Sequence, residues 1–357
     1  MKYKKILITG GAGFVGSHLC LNLKKDYPKV EITALDNLYR KGSELNVPRI
    51  TQKGIRFING DVRKKQDIKS LEFDLLIECS AEPSVLAGVN SSPDYLIDTN
   101  LGGAINCFEA ARQREAAVFF LSTSRVYPIS ELSGLNYSET QTKFELSKKQ
   151  TIQGLSQKGI SEYFPMGKTR SLYGATKLSA ELILQEYIET YKMTGVINRY
   201  GVITGPWQMG KIDQGVIVLW IARHIFANKP LSYIGFGGLG KQVRDFIHID
   251  DVYSAIKLQL MNMKIHNGHT YNIGGGLENS LSLLEMTKLC QNITGNSIKI
   301  NKIAKNRVND VPIYITDHSF FTKKTGWLPT KNAETIFQEI YQWIMDNRED
   351  LEPILNI

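Results

Sequence analysis

Apolar positions in the first 120 residues alternate between two periods. The runs Ile6–Thr9, Glu31–Leu35, Leu75–Glu78 and Val118–Leu121 are short and rich in β-branched or bulky residues, and they read as buried strands. Between them, Ser17–Lys25 and Leu96–Arg112 carry helical spacing. Strand and helix in alternation imply right-handed βαβ units, a parallel sheet and helices on both faces. Further on, Leu178–Tyr191 places Leu182, Ile183, Tyr187 and Ile188 on one side of a helix, and Val196–Arg199 reads as another strand.

Two parts break this rhythm. The segment Ile129–Arg170 is long, polar and irregular, and connections of that length are usually functional. After Gly205-Pro206, helix-like runs (Gly215–Phe226, Ser282–Cys290, Glu334–Trp343) mix with short strands and the glycine turns at 235, 237, 238 and 240. The pattern predicts an α/β chain. Residues 1–200 are expected to form a doubly wound domain that includes the insert 129–170. Residues 201–357 form a smaller α/β substrate lobe, with 246–265 packing back on the first domain.

Composition narrows the class. Among 357 residues, 42% are hydrophobic and 22% charged, which excludes wholesale disorder. The longest apolar run, Val216–Ala222, is far too short to span a membrane. The first residues, MKYKK, lead straight into a strand, leaving no apolar signal core. A cytoplasmic protein is expected. Four scattered cysteines without CxxC spacing exclude a disulfide framework and a zinc knuckle, and no metal is expected. The net charge of +8 is spread in twos and threes, so a nucleic-acid surface is not expected.

The chemistry begins at Gly10-Gly11-Ala12-Gly13-Phe14-Val15-Gly16, after the first strand and before the first helix. Gly10 permits the tight turn, Gly13 lets backbone approach a pyrophosphate, and Gly16 lets helix and strand pack closely. The helix start offers free N–H groups to phosphates. Asp36, at the end of the second strand, suits the two ribose hydroxyls and repels a 2′-phosphate, so NAD is favoured over NADP. Arg40 and Lys41 lie close enough to accept such a phosphate. Asp61-Val62 suits the adenine edge, or Asp61 serves as a helix N-cap. The small residues Ser80 and Ala81 let a cofactor lie near the backbone. Contacts to the cofactor are also expected from Phe14, Val15, Asn37, Asn100, Ser122 and Tyr200.

Tyr173 and Lys177 stand four residues apart, on one face if the segment is helical. An ammonium beside a phenol lowers its pKa from about 10 and equips it to take a proton from a hydroxyl. The spacing alone is common, and Tyr253–Lys257 repeats it in what reads as an ordinary amphipathic helix. Tyr173 is preferred because Ser122-Thr123 ends a strand where a hydroxyl can reach the same oxygen. Arg244 suits a diphosphate, since its fork pairs two oxygens; otherwise it is a structural partner of Asp245 or Asp250.

Together TGGAGFVGSHL, Asp36-Asn37, STSRVY, YGATK and Arg244–His248 resemble an extended short-chain dehydrogenase/reductase of the epimerase/dehydratase type, over almost the whole chain. The resemblance implies NAD, a nucleotide-diphosphate sugar, and Thr123, Tyr173 and Lys177 as the catalytic set. Sugar dehydratases of the family carry Asp-Glu after the catalytic Thr, where this chain has Ser124-Arg125. The CDP-paratose 2-epimerase branch is more similar, sharing Thr123–Tyr127, Asp36–Gly42, Asp213-Gln214-Gly215 and Gly240–Asp245. It implies C2 inversion of a CDP-hexose, with substrate contacts at Ser124, Arg125, Gln208, Lys211, Gln214 and Arg244. Departures are Pro128 and Arg199-Tyr200-Gly201-Val202, where a phosphate-contacting Asn is absent. A 4-epimerase or 4-dehydrogenase on another sugar would use the same residues. The family also implies a homodimer or homotetramer, formed through Leu96–Arg112 and Leu178–Tyr191.

Overall fold

The computed structural model describes residues 1–210, 214–227 and 229–355. The chain forms two compact units. The first gathers Met1–Val126, Leu172–Arg199 and Tyr253–Tyr271, and the second gathers Tyr127–Ser171, Tyr200–Val252 and Asn272–Ile357.

The central sheet comprises β1 (Lys5–Thr9), β2 (Glu31–Asp36), β3 (Arg56–Asn59), β4 (Leu75–Glu78), β5 (Ala117–Thr123), β6 (Gly195–Tyr200) and β7 (Thr270–Ile273). Their spatial order is 7-6-5-4-1-2-3. The pairs β1–β2, β2–β3, β1–β4 and β4–β5 are all parallel. This is the doubly wound Rossmann arrangement. Strand order reverses between β1 and β4, and in such sheets the ligand crevice lies beyond the carboxyl ends of the strands there.

Helix α1 (Phe14–Asp26) follows β1 directly. The stretch expected as one helix over Leu96–Arg112 is a turn of α-helix (Asp94–Ile97), a wider π turn (Asp98–Gly103) and then α2 (Ala104–Gln113). The π turn buries Asn100. It also packs Gly103 so closely on Val62 that an added Cβ would stand 2.6 Å from a Val62 methyl. Helix α3 (Leu172–Tyr191) starts six residues before the predicted Leu178. Its pattern differs too, because Leu182 is exposed while Thr176, Lys177 and Glu181 are buried. A polar inward face is possible because each group has a partner inside the unit, which hydrophobic periodicity does not register.

The core of the first unit joins Leu7, Leu35, Leu76, Val118 and Phe120 to Phe108, Ala111 and Leu184. Phe108 and Phe120 meet edge to face, their centroids 5.4 Å apart. Phe108→Ala removes a fully buried ring, and equilibrium denaturation should show a loss of about 3–5 kcal/mol.

In the second unit, Val243–His248 is the hub. It pairs in parallel with Val202–Thr204 and Ile313–Tyr314, and antiparallel with Ser280–Ser282. Leu231–Ile234 pairs with Ile300–Ile303. The longer helices are α4 (Val216–Phe226), α5 (Ile249–Met261), α6 (Leu283–Thr294) and α7 (Ala333–Asp346). Helix α5 runs from this unit into the first one. Helix α6 opens with a full capping box, Ser282 and Glu285 bonding each other's backbone N–H.

The insert 129–170, grouped above with the first domain, clusters with the second unit. It is not irregular. It folds as a helical turn, Ile129–Ser133, and two hairpins, Tyr137–Glu139 with Phe144–Leu146 and Leu155–Ser156 with Gly159–Ile160. Backbone bonds run from Ile160 N–H to the Ile315 carbonyl (2.8 Å) and from Phe144 N–H to that of Lys241 (2.9 Å). Phe144 joins the small apolar cluster of Val243, Ile313 and Ile315. The segment from 246 to 265 also differs from expectation, since only the part from Tyr253 onward belongs with the first unit.

Candidate active site

The turn between β1 and α1 is built for close approach. Gly10 has φ +62°, and a Cβ on Gly16 would stand 2.2 Å from the Gly10 carbonyl oxygen. Gly13 sits at the N-cap, with no side-chain cap and no acid in the first turn. The first-turn N–H groups, from Phe14, Val15 and Gly16, are therefore left for an anion. The Asp36 carboxylate accepts from Ala12 N–H (3.1 Å) and Gly13 N–H (3.2 Å) through one oxygen, and from Leu38 N–H (2.8 Å) through the other. Burial raises its pKa, and the three N–H bonds oppose that rise. These features fit NAD: an uncapped helix start for the pyrophosphate and a carboxylate fixed on the glycine loop.

Around this loop, Asn37 donates to Asp61 (3.2 Å) and Arg63 clamps the same carboxylate, its closest contact 2.6 Å. The Arg63 bonds hold the Asp61 pKa down at about 2. Asp61 is not an N-cap, because Lys64 takes the N-cap position of the following helix, Lys65–Lys69. Val62 is buried, and Arg40, Ser80 and Ala81 are half-buried. The Ser80 hydroxyl and N–H both bond Glu78. Asn100 holds the loop after β4 by two bonds to the Glu82 backbone, at 2.7 and 3.0 Å. The Ser122 hydroxyl is committed to Glu181, which also takes a forked bond from Arg199. Tyr200 is buried, in the second unit.

Tyr173 lies in the first turn of α3 and is 8% exposed. Its phenol shares a hydrogen bond with the Thr123 hydroxyl at the end of β5. Arg125 N–H also donates to that hydroxyl (3.2 Å). Burial pushes the Tyr173 pKa up, while the Thr123 bond and the Arg125 charge pull it down. Lys177 is one helical turn further on, 2% exposed, its ammonium 3.9 Å from the Phe120 ring centroid and 3.7 Å from Glu78. Thr123, Tyr173 and Lys177 are thus gathered within one unit beside the glycine loop's sheet.

The second Tyr-x-x-x-Lys pair looks different. Tyr253 and Lys257 both bond the Asp26 carboxylate at the end of α1, at 2.7 and 2.6 Å. Burial, and then donation to the carboxylate, push this phenol away from ionisation, so this pair is a helix clasp.

In the second unit, Ser124 and Arg125 aside, the expected substrate residues are engaged locally. Arg244 pairs with Asp310 (2.6 Å) and donates to the carbonyls of Val243 and Val311. Neither Asp245 nor Asp250 is that partner. Asp245 accepts from Gly275 and Gly276 N–H, and its burial lifts its pKa to about 6. Asp250 stands by His248. Gln208 bonds Thr204 and the Ile203 carbonyl within its own loop. Gln214 is half-buried just before α4, and Lys211 lies outside the described residues.

Sequence reasoning passed over Glu78 and Glu181. Their signal was a charge placed on an otherwise apolar element: Glu78 closes the strand LLIE, and Glu181 lies one turn after Lys177.

The chain is 29% identical over 350 residues to a CDP-paratose 2-epimerase of Salmonella typhi, covering 95% of this chain and 98% of that one. A solved UDP-glucose 4-epimerase of Thermus thermophilus, in complex with NAD, superposes with a TM-score of 0.75 at 25% identity, covering 96% and 99% of the two chains. A dTDP-glucose 4,6-dehydratase of Streptomyces venezuelae with NAD bound gives 0.78 at 25% identity, covering 98% and 99%. Residues 6–274 match the model of the NAD dependent epimerase/dehydratase family, and the chain belongs to that family.

Proposed function

We propose that this NAD-dependent enzyme is a nucleotide-sugar epimerase that inverts C2 of a CDP-hexose. The observation that carries the reading is Ser124-Arg125 directly after Thr123. Neither side chain shuttles protons at neutral pH, so elimination of water from the sugar has no acid–base pair at that place. Oxidation followed by re-reduction needs only the Tyr173 group. The likeness to the CDP-paratose 2-epimerase supports the choice of substrate.

Tyr173 takes the proton of the sugar hydroxyl as that carbon loses its hydride. Thr123 hydrogen-bonds the reacting oxygen and keeps the phenol in place. Lys177 supplies the positive charge one turn away. When bound, NAD supplies the hydride acceptor and donor, so the cycle closes without net redox. The keto sugar turns over before hydride returns to its other face. Arg244 is read as pairing the substrate's diphosphate, for which it would exchange Asp310. Ile97, Leu182 and Tyr191 are exposed on the helices expected to join subunits, and a homodimer or homotetramer belongs to this reading.

The test is proton NMR of the purified protein with CDP-paratose in deuterated water. Formation of the C2 epimer without deuterium at C2 is expected. Turnover of UDP-glucose to its C4 epimer instead would favour the second reading, a 4-epimerase, which the likeness to the UDP-glucose enzyme supports. No epimer from either substrate, or deuterium at the inverted carbon, would overturn the proposal.

A further inference from the structure

Glu78 breaks the rule of its strand. It ends β4, which lies between β1 and β5 in the middle of the sheet, and it is 1% exposed after three apolar residues. A carboxylate so placed is unfavourable unless it is held and paired. One oxygen is held: it accepts from Ser80 N–H (3.0 Å), from the Ser80 hydroxyl and from the Thr9 hydroxyl (3.5 Å). The other oxygen makes no hydrogen bond among the described residues and stands 3.7 Å from the Lys177 ammonium.

The remaining groups around Lys177 do not supply a counter-charge. Phe120 offers its ring face. Cys107 is a buried thiol and Cys79 a half-buried one, and desolvation pushes both pKa values far up, so they are neutral. Glu181, one turn along α3, is occupied by the forked Arg199 and by Ser122. Burial holds the Tyr173 phenol above its ordinary pKa, so before the reaction it carries no charge. Among the described residues, Glu78 is thus the one carboxylate beside Lys177 that no other cation pairs.

We propose that Glu78 is a positioning residue that keeps the buried Lys177 ammonium protonated and in place. Burial drives Glu78 upward and Lys177 downward, and the charge of each opposes the shift of the other. Together each removes the other's reason to neutralise. The consequence for catalysis rests on the reading that Lys177 serves Tyr173: the charge that favours the phenolate is maintained from behind, by a residue that touches neither substrate nor the phenol.

The experiment labels lysine side chains with 13C at Cε in the purified full chain. The Lys177 signal is assigned by its loss in Lys177→Met and titrated from about pH 6 to about pH 10. In the natural protein Lys177 should stay charged over most of this range. In Glu78→Gln its midpoint should fall by about two units or more, a hundredfold loss of proton affinity, since unpaired buried lysines reach pKa values of about 5–6. Turnover of Glu78→Gln should then decline as pH rises past the new midpoint. An unshifted midpoint overturns the proposal.

If Glu78→Gln does not fold, 13Cδ labelling of glutamate gives the reciprocal reading. Glu78 should be ionised at neutral pH in the natural protein and protonated in Lys177→Met. The same titration in both would overturn the pairing. Both titrations need no substrate, so a shifted Lys177 combined with a fully active Tyr173→Phe would sink the functional reading and leave the pair standing.

Discussion

Tyr173→Phe should lower turnover by about a thousandfold while the purified protein keeps its NAD. The magnitude is that of a positioned acid–base group in the middle of its usual range, about 10²–10⁴. The retention of NAD follows from position. The phenol bonds Thr123, whereas the glycine turn, α1 and Asp36 make their own contacts elsewhere in the unit. Phenylalanine fills nearly the same buried volume, so the fold should be intact and the unfolding midpoint close to that of the natural protein. Turnover against CDP-paratose and NAD content after denaturation check the two halves separately. Full activity would remove Tyr173 from the mechanism; loss of NAD together with turnover would make the residue structural.

Gly16→Ala should empty the cofactor site. Its Cβ would stand 2.2 Å from the Gly10 carbonyl oxygen and 2.8 Å from the Gly11 Cα, both backbone atoms that cannot turn aside. Helix α1 must shift away from β1, and with it the first-turn N–H groups and the Asp36 bonds to Ala12 and Gly13. NAD recovered per chain should fall about tenfold or more, for which a loss of only about 1.4 kcal/mol in binding is enough. Gly102→Ala is the matched control. Nothing lies within 4 Å of its added Cβ, so NAD should be retained. Stability there should rise by about 0.5–1 kcal/mol, the usual difference between glycine and alanine inside a helix. Equal NAD content in both variants would contradict the close-packing argument.

The parts of the fold that could be read in advance are those where burial and local spacing agree. Strands β1, β2, β4 and β5 lie where apolar runs predict them, because a strand covered on both faces must be apolar throughout. The glycine turn and Asp36 were readable because backbone approach demands those residue types at those places. What escaped the reading were polar groups satisfied at a distance. The inward face of α3 carries Thr176, Lys177 and Glu181, so apolar spacing pointed instead to Leu182, which is exposed. Glu181 is accounted for by Arg199, 18 residues on, and Glu78 by Lys177, 99 residues on. The insert looked shapeless for a similar reason. Its hairpins are only two or three residues per strand, and they are held by Lys241, Ser282 and Ile315 far along the chain.

The interleaving of the two units also bears on how the chain is made. The first unit needs β6, the second half of α5 and the segment ending at Tyr271 before its contacts are complete. During synthesis the first 126 residues therefore wait, with the β5 edge of their sheet uncovered, until β6 has been added after an excursion of 45 residues, Tyr127–Ser171, that belongs elsewhere. Domains formed from one continuous stretch can fold as they emerge. This chain cannot finish either unit early, because each is closed by residues that arrive late. A ribosome stalled near residue 200 would carry an unfinished sheet with an open edge, the kind of surface that recruits other chains.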